Sequence, residues 1–261
     1  MSNVPELVRA SAELTVQGYQ VRIEMDVPTA SKRPIHLLPL FQSVANALVE
    51  VGVSLAEADG RTVSCTKGCG ACCRQLVPVS PCEARHLREL VDELPEPRRS
   101  AIRARFSAAH DRLEASGLTE RLRNPARIKQ TAEALALEYL RLGIACPFLE
   151  DESCSIHADR PLSCREYLVT SPAEHCKQPT AATVRGVAMP IEASHAVMQM
   201  EPTSESYRAS WVTLALALDW AEAHPDQAPA KPGPELVREF FSHLSEAPLT
   251  PENTAEPGAA G

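Results

Sequence analysis

The sequence predicts a mainly α fold: a helical domain with a small N-terminal β-hairpin and an irregular cysteine-rich loop region. Three observations predict it. Apolar residues alternate at period two over residues 12–28, which suits strands buried on one face. They recur at steps of three and four in several stretches after residue 36, which suits helices with one buried stripe. Between Ile144 and about Ser204 both patterns fade. A run that long is unusual in a compact domain unless something staples it.

In chain order, Leu14 and Val16 alternate with polar residues, Gln17-Gly18 turns, and Tyr19, Val21, Ile23, Met25 and Val27 follow at period two. Pro28 and Pro34 close this hairpin. From His36 to Ala58 the stripe Leu37, Phe41, Val44, Leu48, Val51 and Leu55 predicts a helix, with Gly60 as its stop. Ser80-Pro81-Cys82-Glu83 predicts a helix start: Ser as N-cap, Pro in the first turn, Glu three residues after Ser. Ala84, Leu87, Val91 and Leu94 form its buried stripe, and Pro95 and Pro97 end it. Ile102, Phe106, Ala109 and Leu113 mark a helix stopped by Gly117. Ile128, Ala132, Leu135, Tyr139 and Leu142 mark the next, stopped by Gly143. Ser171-Pro172-Ala173-Glu174 predicts a short helical turn, and Met189 to Met198 fits a strand or a short helix equally. A helix over Ser204 to His224, striped by Trp211, Leu214, Leu218 and Ala221, precedes a Pro-rich break. Glu235 to Leu244 predicts a last amphipathic helix, and residues 246–261 lack any buried periodicity, as a disordered tail does. The chain therefore divides into a hairpin and helix (1–60), a cysteine-cluster domain (61–178), a C-terminal helical cap (179–245) and the tail.

With 261 residues and 44% hydrophobic content, the chain can bury a core, and with only 4% aromatics that core must be mostly aliphatic. A formal net charge of −8 gives no electrostatic reason to expect nucleic acid or an anionic membrane surface. Arg98-Arg99 and Arg121-Leu122-Arg123 sit in helical patterns and read as solvated faces. No run approaches the ~20 apolar residues of a membrane span. Met1-Ser2-Asn3-Val4-Pro5-Glu6 carries neither the basic nor the apolar region of a signal peptide. The expected compartment is the cytoplasm, where thiols stay reduced.

Against that background nine cysteines point to metal binding before disulfides. Four fall within nine residues, Cys65-Thr66-Lys67-Gly68-Cys69-Gly70-Ala71-Cys72-Cys73. Cys69-Gly70-Ala71-Cys72 is a C-x-x-C unit, a spacing that lets two thiolates reach one ion while small residues keep the backbone close. Neighbouring side chains diverge in a strand or a helix, so Cys72 and Cys73 should face two sites or two edges of a multinuclear cluster. The distal cysteines, Cys146, Cys154, Cys164 and Cys176, form no second C-x-x-C, unlike a zinc ribbon. Irregular single cysteines from a long loop suit an iron–sulfur cluster somewhat better. Eight thiols make two sets of four, with the pairing left open by the sequence. Cys82, inside an amphipathic helix, reads as a small buried thiol. Lys67, Arg74, Arg160 and Arg165 flank cysteines and offer positive charge to an anionic centre, although Lys67 and Arg74 serve equally as surface cations. His157 fits a packed or exposed residue better than a ligand, and Cys176 beside His175 reads as a ligand candidate rather than a nucleophile.

Cys65-x3-Cys69-x2-Cys72-Cys73, Cys146-Pro147-Phe148-Leu149, Cys154-x-Ile156-His157 and Arg160-Pro161-x-x-Cys164-Arg165 together resemble the YkgJ-type cysteine-cluster family of zinc- or iron-chelating domains. The resemblance covers residues 61–178. It implies that Cys65, Cys69, Cys72, Cys73, Cys146, Cys154, Cys164 and Cys176 bind metal. Cys82 falls outside the pattern, and His157 stands where the family often has Tyr. The expected function is chelation of iron, as an iron–sulfur (4Fe–4S) cluster, or of zinc, in a redox or assembly role with a protein partner. One relative of the family is a lysine N-methylase, so an S-adenosylmethionine-dependent protein-modifying enzyme is an alternative, as is a structural zinc module. C-x3-C-x2-C is also the radical S-adenosylmethionine spacing, but those enzymes are built on strand–helix repeats. No catalytic constellation stands out, so whether the chain is an enzyme stays open on the sequence.

Overall fold

A computed structural model describes residues 6–16, 18–124, 132–201 and 210–246. Strands β1 (Leu7–Val16) and β2 (Tyr19–Pro28) form an antiparallel hairpin that starts five residues earlier than the alternation indicated. Val16, Ile23 and Val27 are buried on one face, while Arg9 and Glu24 pair at 2.6 Å on the other. Gly18 takes φ 85° in the turn, and Gln17 lies outside the described residues.

After the short strand β3 (Ser31–Lys32) and a 3-10 turn, α1 (Leu38–Ala58) crosses beneath the hairpin. Its N-terminal half buries Phe41, Val44 and Leu48 as expected. Further on, Gly52 and Ala56 are buried while Val51 and Leu55 are only half-buried, because the helix closes on Val187 and Met189. A Cβ on Gly52 would lie 3.0 Å from Met189 Sδ, so only small residues fit that face. One expectation needs correcting. The segment Pro34–Ala58, 25 residues with a mean hydropathy of 1.4, is long and apolar enough to cross a membrane. Here its apolar face is packed into the first core, against the hairpin and the C-terminal helix, as a core helix would be.

Strand β4 (Pro78–Val79) leads into α2 (Pro81–Glu93), which opens with the capping box that the sequence announced. Glu83 N–H donates to Ser80 Oγ at 3.3 Å, and Ser80 N–H donates to Glu83 Oε2 at 2.8 Å. Helix α3 (Arg98–Ser116) ends at Gly117 in the left-handed conformation, φ 74°. A further short helix, α4 (Thr119–Arg123), follows at once; no periodicity marked it because five residues span little more than one turn. Helix α5 (Ala132–Arg141) buries Leu135 and Tyr139; Ile128, read as part of its stripe, lies outside the described residues.

Residues 144–200 carry only short elements: strands β5 (Leu149–Glu150) and β6 (Ser153–Cys154), helix α6 (Leu162–Glu166), a 3-10 turn over Ala173–Lys177, and α7 (Ala193–Met200). The helical alternative for Met189 to Met198 is the one adopted. The helix expected over Ser204 to His224 is largely replaced. Residues 202–209 lie outside the described set, β7 (Val212–Thr213) pairs antiparallel with β4, a 3-10 turn follows, and only α8 (Ala217–Ala223) is α-helical. Val212 and Thr213 are β-branched and fully buried, so the ladder with Pro78 and Val79 outweighs the local 3.6-residue pattern. Strand β8 (Lys231–Pro232) pairs with β3 and leads into α9 (Gly233–Glu246). The proposed tail beyond Glu246 lies outside the described residues.

The two cores that matter for the site lie on either side of it. The first joins hairpin, α1, α7 and α9, with the Phe41 and Phe240 rings stacked 4.3 Å apart. The second joins α2, α3 and α8 with Phe148 and Ile156, and Cys146 and Cys154 pack against its edge. Leu162 reaches back from α6 into the first core, so the cysteine-bearing segment is wedged between helices on both sides.

Candidate metal centre

The stretch Cys65–Cys73 is neither strand nor helix but a succession of tight turns. Cys69 N–H donates to Thr66 O at 3.1 Å, Cys73 N–H to Gly70 O at 3.0 Å and Gln75 N–H to Cys72 O at 3.0 Å. Gly68 supplies φ 90° to this path. In these turns Cys72 and Cys73 both line the same cavity, which leaves two edges of one centre rather than two separate sites.

The β5–β6 hairpin is clamped onto that stretch. Cys146 N–H donates to Cys73 O at 2.7 Å and Leu149 N–H to Cys146 O at 2.9 Å. The hairpin turns through Asp151 and Glu152, at φ 48° and 57°, a left-handed pair that Asp tolerates and Glu does not favour. What holds Glu152 there is visible: Arg74 grips its carboxylate, with Nη1 3.1 Å from Oε2, and Lys177 Nζ lies 3.5 Å away. Its carbonyl meets Gly70 so closely that a Cβ on that glycine would lie 2.5 Å from the oxygen. The turn sets Cys154 opposite Leu149 in the ladder and near Cys146.

Helix α6 delivers Cys164. Buried Glu83 accepts from Leu162 N–H at 2.8 Å, and Ser163 Oγ donates to Pro78 O at 2.8 Å. Buried Arg165 donates to Arg160 O at 2.9 Å, to Asn46 Oδ1 at 3.1 Å and to Ala158 O. On the opposite wall Val169 N–H donates to Cys65 Sγ at 3.4 Å, while Gln75 Nε2 donates to Cys176 O at 2.9 Å and to Tyr167 Oη at 3.4 Å.

Together these elements bring Cys65, Cys69, Cys72, Cys73, Cys146, Cys154, Cys164 and Cys176 onto the walls of one cavity of about 470 Å³. Cys82 stays away, fully buried in the first core with its sulfur 3.4 Å from Ser80 Oγ. None of the nine cysteines is in a disulfide. His157 reaches the cavity rim; its ring is held below the usual histidine value by desolvation and by Arg160, Lys67 and Arg165. Glu166, Glu192 and His195 also line the cavity, and burial pushes the Glu166 carboxyl up to about 7. Gln75 and Tyr167, linked to each other and to Cys176, were not signalled by the sequence, since no spacing relates them to that cysteine.

The thiols sense one another in two groups. Burial raises Cys65 and Cys176, and both are raised further by Cys72 and Cys69. Burial likewise pushes Cys146 up to about 12 and Cys164 well above the usual thiol value, with added repulsion among Cys146, Cys154, Cys164 and Cys72. Cys72 belongs to both groups, and its own thiol is raised by the hydrogen bond with Cys73 and by burial. Such a cavity disfavours bare thiolates and suits thiolates whose charge a metal neutralises.

The donor set fits a soft-metal centre. Eight sulfurs outnumber the two histidines and two carboxylates on its walls, which favours zinc, copper(I) or iron–sulfur chemistry over calcium or magnesium. Among the described residues no three Cys, His, Asp or Glu side chains close on a single ion, while the cavity has room for several atoms. Arg160, one of the lining residues, has a buried Nε with no hydrogen-bond acceptor among the described residues. The scaffold differs from strand–helix repeats: the described sheets are all two-stranded and antiparallel.

Comparison with known proteins gives the same direction. No curated protein and no solved structure matches the chain. One family model, CxxCxxCC, described as "Putative zinc- or iron-chelating domain", matches residues 64–183, a span that contains all eight cavity cysteines and the helix carrying Cys82. Residues 64–183 of this chain are thus similar to the CxxCxxCC domain, over just under half of the chain.

Proposed function

We propose that the domain holds an iron–sulfur centre on its eight cavity thiols, in a redox or assembly role and in a reducing compartment such as the cytoplasm. The carrying observation is the convergence of eight of nine cysteines, drawn from positions 65 to 176, on one cavity of about 470 Å³. A single four-thiolate zinc site needs neither eight donors nor that much room. Cys65, Cys69, Cys72, Cys73, Cys146, Cys154, Cys164 and Cys176 would together supply the thiolates that hold the centre. The chemistry such a centre supplies is one-electron transfer, or delivery of iron and sulfide to a partner protein. The protein's contribution is to bury the sulfurs, present N–H donors such as that of Val169 to Cys65, and restrict water.

The test is the iron, acid-labile sulfide and zinc content of anaerobically purified protein, read with its visible spectrum. Iron and sulfide in comparable amounts, with charge-transfer absorption, are expected. Zinc without sulfide would replace this reading with a zinc centre on the same thiols. A well-folded protein that carries and takes up no metal would overturn it.

A further inference from the structure

The four cations that flank cysteines in the sequence have four different fates. Arg74 is committed to Glu152 and also donates to Gly70 O at 3.3 Å. Arg165 is buried and spends its donors on Arg160 O, Asn46 and Ala158 O, which pins α6. Lys67 is exposed at the rim beside His157. Arg160 alone is half-buried on the cavity wall with a buried Nε–H that meets no acceptor among the described residues.

A buried guanidinium N–H without an acceptor is rare in a finished protein, and it marks a place where a partner atom belongs. The Arg165 bond to Arg160 O at 2.9 Å fixes the backbone from which this side chain departs, and the Nε itself is buried from solvent. Arg160 lines the same cavity as all eight thiols, so its charge lies beside the group that they would hold. A metal–thiolate centre carries net negative charge on sulfur, and sulfur accepts such hydrogen bonds.

The geometry points to Arg160 as the residue that positions and charge-compensates the metal centre, its Nε–H donating to a sulfur of the bound centre. This rests on the metal-centre reading above and adds a role that no cysteine can fill. Two opposite effects follow. Bound metal should be weakened by removing Arg160, whereas the metal-free fold should lose nothing, because the donor it loses had no partner there.

The test compares wild type, Arg160→Gln and Arg160→Lys. Metal affinity is read by chelator competition, and thermal unfolding is measured on the metal-free proteins. R160Q is expected to bind metal roughly 10- to 100-fold more weakly, the range found for partners behind metal ligands. R160K, which keeps charge without the fixed Nε donor, should fall between. Metal-free R160Q should melt at or above the wild-type temperature. R160Q binding metal as tightly as wild type would overturn the proposal, as would a metal-free R160Q that melts lower or fails to fold, which would make Arg160 a structural residue. R160K equal to wild type would overturn the hydrogen-bond role. Wild type that takes up no metal would instead defeat the underlying metal-centre reading.

Discussion

At the residue scale, six of the cavity thiols, Cys65, Cys72, Cys146, Cys154, Cys164 and Cys176, are harder to ionise than a free cysteine. The sign of the consequence is fixed by that direction. At neutral pH these groups carry protons, so a metal must displace one proton for each thiolate it takes. Affinity should therefore climb with pH and keep climbing above pH ~9, where an unperturbed thiol would level off. Calorimetry of metal binding in buffers of different ionisation enthalpy should show the proton release directly. A second single residue, Glu83, caps α2 and holds Leu162 N–H, two residues before Cys164. Glu83→Ala leaves buried N–H groups at Ser80 and Leu162 without an acceptor, which should cost about 2–4 kcal/mol in urea unfolding.

At the element scale, the site depends on a strained hairpin seated on a glycine. The Asp151–Glu152 turn is poor in isolation and is held by Arg74, Lys177 and the approach of Glu152 O to Gly70. Gly70→Ala would put a Cβ 2.5 Å from both Glu152 O and Leu149 Cδ1. It should destabilise by about 1–3 kcal/mol, the range for overpacking a close contact, and loosen Cys146 and Cys154. Thermal unfolding together with alkylation rates of those two thiols would measure this. The sequence offered the C-x-x-C and its small residues, but not the reason for Gly70, because the atoms that crowd it come from residues 149 and 152. The elements that were legible share one property: Ser80 with Glu83, and Gly117 after the Leu113 stripe, are settled by neighbours within one or two turns.

At the scale of the whole molecule, two well-packed cores flank a segment with little regular structure of its own. Phe41, Leu48 and Phe240 anchor one side and Ile102, Phe106 and Phe148 the other. Cys65, Cys69, Cys72 and Cys176 pack only in a small cluster with Ala71 and Val169 among the described residues, while Cys146 and Cys154 lie at the edge of the second core. Metal removal should therefore unlock residues 65–77 and 144–178 while leaving the hairpin, α1 and α9 intact. Hydrogen exchange with and without chelator tests this: the Cys146 and Val169 amides should lose protection on chelation, and amides of α1 should not. Equal protection in both states would mean that the metal does not staple the fold.

The sequence by itself determined the helical class, the hairpin face, the caps of α2 and α3, and the suspicion that eight particular cysteines act together. Periodicity, caps and cysteine spacing are local signals, carried by residues that remain near one another in the chain. Only the tertiary structure decided that β7 replaces a helix, that Gly52 and Ala56 are buried more deeply than Val51 and Leu55, and that Cys72 and Cys73 share a cavity. It also separated Arg160 from three other cations that look equivalent in the sequence. Those outcomes depend on contacts between residues tens of positions apart: Val79 with Val212, Gly52 with Met189, Gly70 with Glu152. Backbone pairing and close approach across such distances override local preference, and no periodicity encodes them.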